Sequence, residues 1–78
     1  MLQQLAIRGE TIRLGQLLKL AGLVDSGSEV KVLLAELPVL VNGELESRRG
    51  RQLHPGDRVQ VGEHELLLGA AEDPPPRD

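Results

Sequence analysis

Cysteine is absent from this 78-residue chain, and so are phenylalanine, tyrosine and tryptophan. Without cysteine, neither a disulfide nor a thiolate metal site is available. Without aromatic rings the core must be aliphatic, built mainly from Leu, Val and Ile. The same lack removes the stacking platform on which single-strand binders lay successive bases. No stretch approaches the run of about 20 apolar residues needed to cross a bilayer. The N-terminus has no basic region followed by a long apolar run, so no signal peptide is expected. These absences point to a soluble cytoplasmic protein with no membrane partner. The length suits one domain with a modest core.

An excess of positive charge is also missing. The formal net charge is −3, which taken alone argues against a phosphate-backbone partner. Placement qualifies the total. Glu72, Asp73 and Asp78 face only Arg77 at the C-terminal end, whereas Arg48, Arg49, Arg51 and Arg58 face a single Asp57 between positions 47 and 58. An acidic chain can therefore present one basic edge.

Taken in order, Met1 to Ile7 reads as a first strand, suited to a sheet edge, and Gly9–Glu10 breaks it. From Thr11, expected as the N-cap, Leu14, Leu17, Leu18 and Ala21 recur at helical spacing until Gly22 stops the helix. Ser26 and Glu29 have the Ser-x-x-Glu spacing of a capping box. They open a second helix whose inward face is Val30, Leu33 and Leu34, extended by Leu37 before Pro38 ends it. Val39–Leu40–Val41 then alternates into Asn42–Gly43, the favoured pair for a two-residue hairpin turn, and Glu44 to Ser47 returns beside the first strand. Pro55–Gly56 suits a type II turn, since Gly56 accepts positive φ, and Asp57 is expected to fix that turn. Val59–Gln60–Val61 is a further strand, Gly62–Glu63–His64 a turn, and Glu65 to Leu68 a last strand ended by Gly69. Residues 1–70 are expected to form the domain, and 71–78, with Pro74–Pro75–Pro76, a disordered or polyproline tail.

Catalysis finds little support. His54 and His64 each sit beside a turn, with no cysteine nucleophile and no metal-ligand spacing nearby, so neither a metal nor another cofactor is expected. Ser26 and Ser28 are explained by capping. Glu44 and Glu46 share one strand face, but a small open sheet offers no cleft to tune their pKa. A water-excluding pocket is also hard to build from so short a chain.

The arginines are more informative. Arg48, Arg49 and Arg51 offer three guanidinium forks within four positions, and Gly50 lets the backbone come close to a phosphate. Lys31, with Arg13 or Lys19, extends the patch if the helix pair packs beside the hairpin. The start of the second helix adds free backbone N–H groups. On spacing alone two readings stand: one outward-facing cradle for a polyanion, or a solvated hairpin tip whose arginines pair with Glu44 and Glu46. The cradle would position phosphates without reading bases, which fits folded RNA better than sequence-specific DNA recognition.

Arg13–Leu14, the helix pair through Leu33–Leu34, Val39-x-Val41–Asn42–Gly43 and Leu53-x-x-Gly56–Asp57-x-Val59-x-Val61 together resemble the alpha-L RNA-binding motif. This small domain was first recognised in the fourth protein of the small ribosomal subunit. Leu17–Leu18–Lys19–Leu20-x-Gly22, Ser26–Gly27 and Glu44-x-Glu46-x-Arg48–Arg49 are most similar to its short stand-alone bacterial members. The likeness spans about residues 10–68. It implies an α+β fold, with two short helices packed on a small, mostly antiparallel sheet, and non-catalytic binding of structured RNA: ribosomal RNA, transfer RNA, or a ribosomal subunit or its precursor. By position it assigns RNA contacts to Arg13, Lys31, Asn42, Arg48, Arg49 and Arg51; turn chemistry assigns Gly43, Gly50, Gly56 and Asp57 to shaping turns, and Asn42 also belongs to its turn. The widespread version has Asp at the Gly15 position, basic residues at Gly27 and Val32, and Gly at Leu37. These departures lower the expected backbone affinity.

Two other classes compete. A protein-interaction adaptor would use an exposed sheet edge. A β-grasp carrier shares Val–Asn–Gly and Leu-x-x-Gly–Asp but needs a terminal Gly–Gly carboxylate, whereas this sequence ends Pro75–Pro76–Arg77–Asp78. A monomer is expected, since no sustained apolar helix face is left exposed.

Overall fold

Alternation in the strands and helical spacing in residues 14–34 leave one apolar surface on each element, and burying those surfaces against each other fixes the architecture. The computed structural model describes residues 2–70; the tail expected at 71–78 lies outside the described residues. The elements are β1 (Leu2–Ile7), β2 (Ile12–Arg13), α1 (Leu14–Leu20), α2 (Gly27–Glu36), β3 (Val39–Val41), β4 (Glu44–Leu45), β5 (Gln52–Leu53), β6 (Arg58–Val61) and β7 (His64–Ala70). Five strands form one sheet in the order β1-β7-β6-β3-β4, and β2 pairs with β5 separately. All pairings are antiparallel except β1 with β7. The expected α+β fold is therefore observed. The aliphatic core combines Leu14, Leu17, Leu18 and Val30 of the helices with Val39, Val41, Val59, Val61, Leu66 and Leu68 of the sheet.

Turn chemistry sets the register. Asn42 (φ 52) and Gly43 (φ 86) both have positive φ, as a type I′ turn demands, and Val41 pairs directly with Glu44 across it. In the turn after β5, the Asp57 N–H donates to the His54 carbonyl at 3.0 Å and Gly56 has φ +97; with Pro55 before it, this is a type II turn.

Several local expectations are corrected. Thr11 does not cap α1: Ile12 and Arg13 are drawn into β2 by pairing with Leu53 and Gln52, so the helix begins at Leu14 with Arg13 as its N-cap residue. The helix ends in a Schellman motif, in which the Leu23 N–H donates to the Leu18 carbonyl and the Gly22 N–H to the Lys19 carbonyl, each at 3.0 Å. In α2 the Glu29 N–H donates to Ser26 Oγ at 3.4 Å, but the Glu29 carboxylate reaches Asp25 N at 2.9 Å. Leu37 does not extend the inward face. Pro38 forces it into extended geometry (φ −118, ψ 142), and it is 41% exposed. Gly69 does not end order, because β7 continues to Ala70 beside β1. The return strand after the first hairpin is also shorter than expected: β4 stops at Leu45, and the chain leaves the sheet at Glu46.

Leu66 is fully buried whereas Leu45 is 75% exposed. Leu66→Ala is therefore expected to cost about 2–5 kcal/mol in urea unfolding, and Leu45→Ala less than about 0.5 kcal/mol. Equal costs would contradict this core.

Candidate nucleic-acid interface

The segment after β4 owes its shape to one carboxylate. Glu46 accepts five hydrogen bonds: from the Ser47 and Arg48 backbone N–H groups, Arg48 Nε and Nη2, and Arg51 Nη1, at 3.0–3.1 Å. Its side chain is only 7% exposed, against 73% for Arg48 and 37% for Arg51. Hydrogen bonds from the Arg48 side chain and backbone outweigh the opposing effect of burial, and with Arg51 they bring the Glu46 pKa down from the usual 4.5 to about 2. The expectation that no carboxylate here is tuned is thus overturned. No cleft is needed, because two guanidiniums close over the group.

The same segment caps α1. The Leu14 N–H donates to the Arg51 carbonyl and the Gly15 N–H to the Arg49 carbonyl, both at 2.9 Å. Two of the orphan N–H groups of the first helical turn are satisfied in this way. An ideal Cβ on Gly15 would lie 3.6 Å from Arg49 Cβ, so the arginine segment packs closely on the helix start.

The structure divides the three arginines. Arg48 and Arg51 turn onto Glu46, as the hairpin-tip reading anticipated for that residue. Arg49 remains exposed. Arg13, Gly15, Lys19, Gly27, Arg49 and Gly50 are among the residues lining a shallow groove of about 250 Å³ between α1 and the start of α2. Lys31 joins Arg49 in an adjoining depression with Leu34, Ala35 and Ser47. Arg13, Lys19, Lys31 and Arg49 make no ion pair among the described residues. A wider hollow of about 630 Å³ holds Arg48, Arg51, His54 and Asp57. It is the less cationic of the two, because its arginines are committed to Glu46 and it includes the Asp57 carboxylate. The smaller groove is therefore the more cationic of the two surfaces.

Asn42 sits apart from that groove. Its Nδ2 donates to Asp57 Oδ1 at 3.1 Å, and its Oδ1 accepts from the Arg58 N–H at 2.9 Å, so both ends of the amide tie the first hairpin to the Pro55–Gly56 turn. Asp57 also accepts from the His54 N–H at 2.7 Å. Burial opposes its ionisation, but the His54 backbone amide, the Asn42 side-chain amide and attraction from the His54 ring when protonated and from Arg51 hold its carboxyl below the usual range. Gly43 and Gly56 take positive φ in their turns, whereas Gly50 does not. A Cβ at Gly50 would meet nothing within 4 Å, so the fold itself does not require glycine there. Sequence reasoning missed Glu46 as the organiser. The usable signal was Glu-x-Arg-x-x-Arg, which puts one carboxylate within reach of two guanidiniums across a tight turn.

Residues 5–68 match the S4 domain family. The chain is 48% identical over 61 residues to the probable ribosome maturation protein RlbA of Bacillus subtilis (strain 168), covering 78% of this chain and 86% of that protein. It is 40% identical over 63 residues to the tyrosine–tRNA ligase of Xanthomonas campestris pv. campestris, where the aligned span is 78% of this chain and 16% of the ligase.

Because the Glu46 carboxyl is held low, the stability it contributes is complete above its ordinary 4.5 and is lost as pH falls toward about 2. An NMR titration should show the Glu46 carboxyl carbon moving near pH 2, with the Leu14 and Gly15 amides following. A midpoint near 4.5 would contradict the clamp.

Proposed function

Since the chain belongs to the S4 domain family, we infer that it is a non-catalytic binder of structured RNA, acting as a monomer on ribosomal RNA within a maturing subunit. The observation that carries this reading is the groove between α1 and the start of α2. Its three cations, Arg13, Lys19 and Arg49, have no carboxylate paired to them among the described residues, and Lys31 lies just beyond Arg49. Uncompensated cations on a rigid surface are what a phosphate backbone rewards, because each neutralised phosphate releases counterions. The net charge of −3 gives little long-range steering, so binding depends on contacts within a Debye length of about 8 Å.

The ribosomal target is favoured over transfer RNA because the relative matched over most of its length is named for ribosome maturation, whereas the ligase is matched over a small part. A ribosomal target places the protein in the cytoplasm. Gly50, which lines the groove without a backbone reason to be glycine, suits close approach of an RNA strand. Asn42, Gly43, Gly56 and Asp57 hold the hairpin in register in this reading. Arg48 and Arg51 contribute through their remaining exposed edges.

The test is binding of transcribed ribosomal RNA and of transfer RNA by the wild type and an Arg13→Ala/Lys31→Ala/Arg49→Ala variant across a salt series. The variant should bind ribosomal RNA at least tenfold more weakly, with a log–log salt slope shallower by about 2–3. Coincident curves would remove the proposed surface, and tighter binding of transfer RNA would redirect the target.

A further inference from the structure

Of the three arginines, only Arg49 is free to meet a ligand with its whole guanidinium, yet its backbone is held from both sides. Its carbonyl caps Gly15, and its neighbours Arg48 and Arg51 are anchored to one almost fully covered carboxylate. We propose that Glu46 is a positioning residue for RNA: by bridging Arg48 and Arg51 it fixes residues 46–51 on the start of α1, and so holds Arg49 in line with Arg13, Lys19 and Lys31. This rests on the RNA-binding reading above and adds a claim with its own sign. Glu46 is an anion beside a polyanion site, so by charge alone its removal should tighten RNA binding. By position it should loosen it. The geometry favours position, because five donors converge on the carboxylate and leave it little exposed surface from which to repel a phosphate. Without it, two guanidiniums lose their anchor, and the turn no longer aims the Arg51 carbonyl at the Leu14 N–H or the Arg49 carbonyl at the Gly15 N–H.

Labelled ribosomal RNA transcripts, bound at one ionic strength by the full chain and its variants, separate the two signs. Glu46→Gln should bind about five- to tenfold more weakly than wild type, although its net charge is one unit more positive. Glu44→Gln makes the same charge change on an exposed residue of β4 and should bind equally or slightly more tightly. Adding Glu46→Gln to Arg49→Ala should cost little beyond Arg49→Ala alone, because both changes remove the same contact. A general loss of stability would instead multiply the two losses. Glu46→Asp, which keeps the charge and shortens the arm, should also weaken binding and serves if Glu46→Gln fails to fold. Amide exchange at Leu14 and Gly15 should quicken in either variant, and unchanged protection would overturn the clamp whatever the RNA does. Glu46→Gln binding as tightly as wild type, or multiplicative losses, would overturn the positioning role while leaving RNA binding intact. A wild type with no RNA affinity would instead overturn the proposed function.

Discussion

The carboxylate of Glu46 has two guanidiniums and two backbone amides closed around it, and the shape of the arginine segment follows. Taking a carboxylate out of water is costly, and only full satisfaction of its oxygens keeps it ionised. Here that satisfaction is supplied locally, by residues within five positions of it. The result is a short irregular segment that behaves like a fixed element. It leaves β4 at Glu46, makes a tight turn in which the Arg51 N–H donates to the Arg48 carbonyl at 3.2 Å, and lays two carbonyls on the start of α1. Helix and segment satisfy each other: the helix gains acceptors for its first N–H groups, and the segment gains a rigid support.

That arrangement explains how a chain of negative net charge can carry the cationic surface proposed for a polyanion. Charge here is sorted more than it is accumulated. Arg48 and Arg51 are spent on internal order, Arg58 pairs with Glu65 at 3.1 Å on the sheet, and Arg13, Lys19, Lys31 and Arg49 are left without anions among the described residues. Register places Leu45, Leu40, Gln60, Glu65 and Leu2 together on the outer face of the sheet, where Leu2 and Leu45 are exposed. A second fastening, Asn42 to Asp57 and Arg58, keeps the two turns at the far end of β3 and β6 in register. The two devices are polar, sit at the surface, and complement an aliphatic core that has no aromatic anchor.

Most of the fold was legible because it rests on strong local signals. Gly22 ended α1, Ser26 opened α2, and Asn42–Gly43 and Pro55–Gly56 made the turns their chemistry demands. The errors came where long-range pairing overrode local preference. Thr11 is a good cap, but Leu53 and Gln52 claimed the next two residues for a strand that no local pattern announces. Leu37 fits a helical stripe until Pro38 turns it outward, and Gly69 reads as a terminator until β1 supports it as a parallel neighbour. At the site, the presence of a basic loop was visible and its internal division was not. Spacing shows that Glu46 stands within reach of Arg48, Arg49 and Arg51, and the Glu-x-Arg-x-x-Arg pattern names the pair it captures only once the turn between them, seated on α1 from a distant part of the chain, is known.

The most direct measurement is a side-chain NMR map of the protein with its arginine and lysine resonances assigned, recorded before and after adding a ribosomal RNA fragment. The account predicts that the Arg49, Arg13, Lys19 and Lys31 signals shift together, while Arg58 and the outer sheet face stay still and the Glu46 carboxyl remains ionised. Shifts confined to the outer sheet face, with the groove unchanged, would contradict it.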